Sequence, residues 1–305
     1  MPEPLIAILT GWDGPLGRGH VQRMASLLDY LITETGMRAT LLADSCPEFF
    51  PGELRRHVRP EPEGRVSLFV RDMRDSSAGE IRRLRETAPV LCVDDLGEGR
   101  DVADYALDLL PDPSTGAPRN QPDRGLFLYG YGFRSALRTL GDAIIEKTVD
   151  YTLYAGESPD DEYVDFLVSL LPPDAGYAVF RGSGSFMRDG SSTKAIGRDD
   201  YARLLLSSRV LVSHFGIALY EARAASCRPV AINPSAYHSR LCDNAPADLG
   251  IRNLGTRDAL DTTAAAAAIR DAAASPSVTE VSAAKVYAST RENLDRFCRL
   301  LRTMI

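Results

Sequence analysis

The sequence predicts an α/β protein of two doubly wound domains. Three observations carry this. Short apolar runs alternate with stretches of helical periodicity along the chain, the pattern of parallel sheets covered by helices. A glycine-rich loop joins the first apolar run to the first helix. The same strand, loop and helix theme then starts again near residue 150, and 305 residues suit about two domains of ordinary size.

The first run, Leu5-Ile6-Ala7-Ile8-Leu9, reads as a buried strand. Gly17-Arg18-Gly19-His20-Val21-Gln22-Arg23 follows it, and Val21, Met24, Leu28 and Leu31 recur at helical spacing. Such a loop points backbone N–H groups and a helix N-terminus at an anionic or polar ligand. Gly17 and Gly19 would shape it, His20 would stand at its mouth, and Arg23 would lie one turn along the same side. The glycines serve equally well in a plain tight turn. Strands are expected at 39–43, 66–70, 89–93 and 105–110, with a charged helix over 78–87. Ligands of doubly wound sheets sit at the carboxyl ends of strands. Asp94 and Asp95 lie at such an end, where each serves alternatively as a turn or helix cap. The Pro- and Gly-rich stretch 111–125 reads as a long loop, Gly130-Tyr131-Gly132-Phe133-Arg134 as a Gly-aromatic turn, and 136–147 as a helix linking the domains.

In the second half strands are expected at 151–155, 177–180, 210–212 and 229–234. Helices are expected at 162–171, 201–207 and 217–225, in the alanine run 264–268, and over 280–304. Ser213-His214-Phe215-Gly216 joins a strand to a helix that carries Glu221. Ser213, His214 and Gly216 are placed to hold a diphosphate on N–H donors, and the two oxygens of Glu221 to accept both hydroxyls of a ribose. A solvent-facing Glu on an amphipathic helix explains the same spacing. His238 is a further contact to diphosphate or sugar, or a histidine of a surface loop.

Composition narrows the class. A net charge of −7 argues against nonspecific nucleic-acid binding. No apolar run is long enough for a membrane span, and no signal peptide pattern opens the chain. The five cysteines, Cys46, Cys92, Cys227, Cys242 and Cys298, show neither metal-ligand spacing nor a disulfide framework, which fits reduced thiols in a cytoplasmic protein with no metal and no cofactor.

The motifs together resemble a known family. G-x-G-H-V-x-R is similar to the signature of the UDP-sugar hydrolase of pseudaminic acid biosynthesis, which removes UDP from UDP-2,4-diacetamido-2,4,6-trideoxy-altropyranose. Val93-Asp94-Asp95-Leu96, Asp104-Tyr105-Ala106-Leu107-Asp108, the segment 130–138 and the segment from Val212 to Ala222 look like that family's later motifs, in the same order. The resemblance runs over about residues 5–255 and extends to spore-coat polysaccharide biosynthesis relatives. It implies the glycosyltransferase B fold: two Rossmann-like domains facing across a cleft. Residues 1–140 would form the sugar and catalytic side. Residues 141–305 would form the nucleotide side and send the last helix back to the first domain. It also implies that His20, with Arg23 beside it, activates water against a UDP-linked amino or deoxy sugar in surface glycan synthesis. Imidazole suits such a base because its ordinary pKa is about 6.5. Two other readings stay open: a glycosyltransferase with an acceptor hydroxyl in place of water, and a non-catalytic nucleotide-sugar-binding homologue.

The sequence departs from the family on the nucleotide side. Phe215-Gly216 replaces paired glycines, Tyr237-His238 replaces Asn-Gln, and Ala155-Gly156-Glu157-Ser158 replaces a Gly-Gly-x-Asp turn. Leu9 and Gly11 stand where Arg and Asp are usual, with Asp13 nearby. A ring at Phe215 is expected to narrow the pocket or block a positive φ, so a nucleotide sugar other than the altrose-derived one, or weak binding, is expected.

Overall fold

The computed structural model describes residues 3–11, 18–111, 126–156, 159–181, 184–197, 200–275 and 278–305. Gly17, and all of the long loop 111–125 but its first residue, lie outside the described residues. The chain divides into two compact units, Met1–Tyr131 with Thr290–Ile305, and Gly132–Ser289.

The first unit is a parallel sheet of β1 (Leu5–Thr10), β2 (Arg38–Leu42), β3 (Val58–Arg59), β4 (Val66–Asp72), β5 (Val90–Val93) and β6 (Tyr105–Leu107). The order is β3-β2-β1-β4-β5-β6, so the winding reverses between β1 and β4. Both faces are covered, which is why β1 reads as an unbroken apolar run. Ile6 and Ile8 pack with Val21, Met24, Leu28 and Leu31 of α1 (Gly19–Thr33), while Leu5 and Ala7 join the opposite cluster with Phe69, Val90 and Ile81. Ile81 belongs to α2 (Ala78–Arg85), whose Ser77 cap accepts from Glu80 N; α3 (Gly99–Val102) follows β5. Leu294, Phe297 and Leu301, near the end of the chain, complete the core around α1.

Helix α4 (Tyr131–Leu140) occupies the predicted Gly-aromatic turn. The turn is not there because Phe133 and Leu137, four residues apart, are both buried on one helical face. The predicted linker helix 136–147 stops at Leu140. Its remainder forms β7 (Ile144–Glu146), which pairs antiparallel with β15 (Glu280–Ser282) ahead of the terminal helix α10 (Ala283–Arg302).

The second unit's main sheet has parallel β8 (Val149–Tyr154), β9 (Tyr177–Phe180), β12 (Ser208–Ser213), β13 (Arg228–Asn233) and β14 (Arg252–Thr256). An antiparallel hairpin, β10 (Phe186–Asp189) and β11 (Ser192–Ala195), extends it, giving the order β11-β10-β9-β8-β12-β13-β14. Its helices are α5 (Asp161–Ser169), α6 (Tyr201–Ser207), α7 (Ile217–Ala224), α8 (Ala236–Asp243) and α9 (Thr262–Ala274). The hairpin, α8 and β14 have no counterpart in the sequence reading. No helix among the described residues is long and apolar enough to cross a membrane.

Candidate functional site

The carboxyl ends of β1, β4 and β5 surround a compact charged cluster at the point where the winding of the first sheet reverses, the usual ligand position in such sheets. α1 starts at Gly19 and carries His20 and Arg23 one turn apart, so both reach the last residue of β4, Asp72. His20 Nδ1 lies 2.7 Å from Asp72 Oδ1. Arg23 grips the same carboxylate with two prongs, Nε to Oδ2 and Nη2 to Oδ1, both at 2.5 Å. Its Nη2 is also 2.5 Å from Asp94 Oδ2. Asp94 follows β5 with φ of 50°, a left-handed conformation that Asp tolerates, and its Oδ1 accepts from the N–H groups of Leu109 at 2.7 Å and Leu110 at 2.9 Å.

All four residues are buried, with His20 the most open at 8% exposed. Burial alone would raise the Asp72 carboxyl, but Arg23 and His20 outweigh it and hold its pKa at about 2. Burial alone would likewise lower Arg23, and Asp72 and Asp94 outweigh it. Asp72 is therefore an acceptor-only carboxylate, and its short contact with His20 puts the imidazole proton on Nδ1. Arg23 Nη2, at 3.2 Å from the same Nδ1, is spent on the two carboxylates. His20 Nε2 then carries the lone pair and makes no hydrogen bond among the described residues. An imidazole fixed by a carboxylate on one nitrogen and open on the other is the arrangement of a general base.

Asp95, the other predicted ligand at this end, is committed to the fold. Its Oδ1 accepts from Ser76 N at 3.1 Å and Gly97 N at 2.8 Å, and its Oδ2 from Arg71 Nη1 at 3.1 Å and from the Ser76 hydroxyl. All four acceptor positions of the carboxylate are filled. The turn it ties is tight: a Cβ at Gly97 would sit 2.3 Å from Ser76 O. Asp72, by contrast, was not among the residues singled out from the sequence. Its signal was the polar pair Arg71-Asp72 ending an apolar strand.

In the second unit the carboxyl ends of β8, β12 and β13 gather an aromatic and histidine cluster. The His214 ring stacks on Tyr154 with centroids 6.1 Å apart and meets His238 edge-on at 6.4 Å. Burial, and then the charge of His238, lowers the His214 pKa to about 4, so His214 is neutral at pH 7. His238 sits in the first turn of α8, where its Nδ1 is 2.8 Å from Ser235 Oγ. Ser213 Oγ donates to Tyr154 O at 3.1 Å. Gly216 precedes α7 in extended conformation, φ 167°.

Glu221 does not face solvent. It is 3% exposed, and its Oε2 accepts from the Tyr201 hydroxyl at 2.8 Å. Burial and Glu221 together push the Tyr201 hydroxyl well above its ordinary pKa, so Tyr201 stays a donor. Phe215 departs from expectation too. Its ring is 4% exposed and lies edge-on to Tyr220 at 6.1 Å, its φ is not positive, and its N–H donates to Asn233 Oδ1 at 2.8 Å. The ring joins the core and does not narrow the loop. Among the described residues no three His, Cys, Asp or Glu side chains are grouped to hold a metal.

No protein-family model matches the sequence, and no curated protein matches it either. Solved structures do match the fold. Spinosyn rhamnosyltransferase SpnG complexed with thymidine diphosphate aligns with a TM-score of 0.57 at 11% identity, over 98% of this chain and 99% of its own. Arabidopsis thaliana UGT89C1 complexed with UDP-L-rhamnose gives 0.56 at 11% identity, over 97% and 95%. A putative UDP-N-acetylglucosamine 2-epimerase from Listeria monocytogenes gives 0.55 at 10% identity, over 99% and 96%. The chain shares with these structures the glycosyltransferase B fold. At these identities the likeness is one of fold, and function has to come from the side chains.

Proposed function

We propose that the chain is a nucleotide-sugar-dependent glycosyltransferase in which His20 is the general base. One observation carries the reading: the His20–Asp72 pair, which fixes the imidazole proton on Nδ1 and leaves Nε2 for an acceptor hydroxyl. The acceptor O–H gives its proton to Nε2, its oxygen bonds to the anomeric carbon, and the bond from that carbon to the diphosphate breaks, its electron pair leaving with the nucleoside diphosphate. Asp72 stabilises the imidazolium that forms, and Arg23 holds the Asp72 carboxylate in place while tying it to Asp94. Gly19 begins the helix that presents the base.

For the nucleotide we propose the carboxyl ends of β8 and β12 and the start of α8. The α7 N-terminus with Ser213, His214 and Gly216 would take the diphosphate on neutral donors, His238 would add a ring N–H, and Glu221 would accept from the ribose. UDP and thymidine diphosphate, carried by the structures of similar fold, are the first nucleotides to try. Hydrolysis is the second reading. It is favoured by the Gly19-His20-Val21-x-Arg23 segment that resembles the UDP-sugar hydrolase, and it differs only in placing water at Nε2.

The test is a panel of UDP- and thymidine diphosphate-linked sugars, including the altrose-derived one, followed by chromatography with and without sugar acceptors. Release of nucleoside diphosphate only when an acceptor is present supports transfer. Equal release without one supports hydrolysis. Binding without release would leave a non-catalytic homologue.

A further inference from the structure

The β3 edge of the first sheet holds a second polar feature. A cavity of about 350 Å³ opens beside the first residues of β1 and β2 and the end of β3. Arg38, Arg56, His57, Arg59 and Glu63 line it. Three guanidinium groups thus line it beside one carboxylate, within a chain of net charge −7.

The groups are held in place. Glu63 gathers two of them: its backbone carbonyl accepts from Arg38 Nη2 at 2.9 Å, and its carboxylate from Arg59 Nε at 3.0 Å. Gly64 follows with a φ of +122°, a backbone conformation that favours glycine. Arg56 donates from Nε to His57 Nε2 at 3.1 Å, which puts the His57 proton on Nδ1. Among the described residues neither Arg38 nor Arg56 pairs with a carboxylate. Leu5, Ile32 and Met37 add apolar lining.

We propose that this cavity binds a small phosphate ester, its phosphate on Arg38, Arg56 and Arg59 and its apolar portion against Leu5, Ile32 and Met37. Planar guanidinium forks match the oxygens of a phosphate, and three of them beside one carboxylate leave positive charge for it to neutralise. The volume suits a small metabolite. His57 reports on the site. Burial, then Arg56 and Arg59, lowers its pKa, and a bound dianion offsets the two arginines and brings it back up. The site stands apart from the nucleotide-sugar reading and does not depend on it.

The experiment follows the His57 ring proton by NMR through a pH titration with no addition, with phenyl phosphate, with inorganic phosphate, and with potassium chloride at matched ionic strength. The four histidines are few enough to assign by single substitution. Phenyl phosphate should raise the His57 midpoint and bind several-fold more tightly than inorganic phosphate. Arg38→Gln and Arg56→Gln should each weaken it about tenfold or more, the scale of one charge-assisted hydrogen bond. His20→Asn should leave it unchanged. An equal response to chloride, or undiminished binding in the Arg38→Gln, Arg56→Gln double variant with a dispersed spectrum, overturns the proposal. Equal affinity for the two phosphates overturns its ester portion.

Discussion

Asp72→Asn is the most informative single change. The amide keeps the carboxylate's shape but removes the charge that three N–H contacts share: His20 Nδ1, Arg23 Nε and Arg23 Nη2. Two magnitudes follow. For stability, a carboxyl whose pKa is about 2 when folded against 3.8 otherwise is worth roughly 2 kcal/mol at pH 7. Removing one partner of a buried pair costs more, about 3–5 kcal/mol. Arg23 keeps Asp94 at 2.5 Å, so the lower end, about 3 kcal/mol, is expected in urea unfolding. For chemistry, an amide N–H turned towards Nδ1 pulls the imidazole proton onto Nε2, where it blocks proton acceptance. Turnover should fall by roughly 10²–10⁴-fold, while nucleotide affinity, measured calorimetrically, should change less than threefold. Asp72 and His20 act as one unit, so the Asp72→Asn, His20→Asn double variant should lose little more than His20→Asn alone. Multiplying losses in the double variant, or near-normal turnover in Asp72→Asn, would refute the dyad.

His20→Asn should retain the fold and nucleotide affinity yet lower turnover about a hundredfold or more, as expected for a lost base; unchanged turnover removes His20 from the chemistry, and an unfolded variant makes it structural. Glu221→Ala should weaken nucleotide binding by about 1.5–3 kcal/mol if it meets the ribose, whereas Tyr201→Phe, which removes the hydroxyl bond to Glu221 Oε2, should weaken it less; equal affinity in wild type and Glu221→Ala excludes the contact. Asp72 also sets an acid limb: its folded pKa is depressed, so its stabilisation is present above about pH 4 and is lost as pH falls towards 2, and Asp72→Asn should flatten that part of the stability profile. Lys147 behaves in the opposite sense. Its Nζ donates to the carbonyls of Leu205, Ser208 and Ala225, yet burial lowers its pKa to about 8 from 10.5, so below pH 8 the folded state carries a charge it disfavours. The stability of wild type relative to Lys147→Met should therefore rise between about pH 8 and 10.5, and a flat difference would show that the carbonyls fully satisfy the ammonium.

The alternation of buried strands and helices was legible because each strand is covered on both faces, so its apolar run is continuous. Tyr177–Phe180 and Tyr201–Ser207 match the expected bounds. The hairpin β10–β11 was not legible. Its second strand is exposed throughout and carries no apolar pattern, so only backbone pairing defines it. His20 and Arg23 stood out because a histidine beside a glycine loop is chemically conspicuous. Asp72 did not, since it lies 52 residues from His20 and only the neighbouring pairing of β1 and β4 brings the two together. Asp94 and Asp95, adjacent in sequence, looked equivalent. The left-handed backbone at Asp94 separates them: one carboxylate turns to Arg23, the other to Ser76 and Arg71.

Phe215 bears on which ligand the second unit can take. By steric reasoning a ring in place of glycine closes the loop. The ring goes the other way, into the core against Tyr220, and Asn233 fixes its backbone N–H. The loop keeps an extended Gly216, where a Cβ would meet nothing within 4 Å. What is altered is therefore charge and polarity. His214 is neutral at pH 7, and it lies between the Tyr154 ring and His238. A diphosphate placed there meets neutral donors in place of a fixed cation, so its affinity should respond to pH through His214. Nucleotide binding that tightens as pH falls towards 4, and loses that trend in His214→Gln, would place the diphosphate beside this ring. Binding independent of pH would move the diphosphate elsewhere in the unit and leave the histidine stack a packing feature.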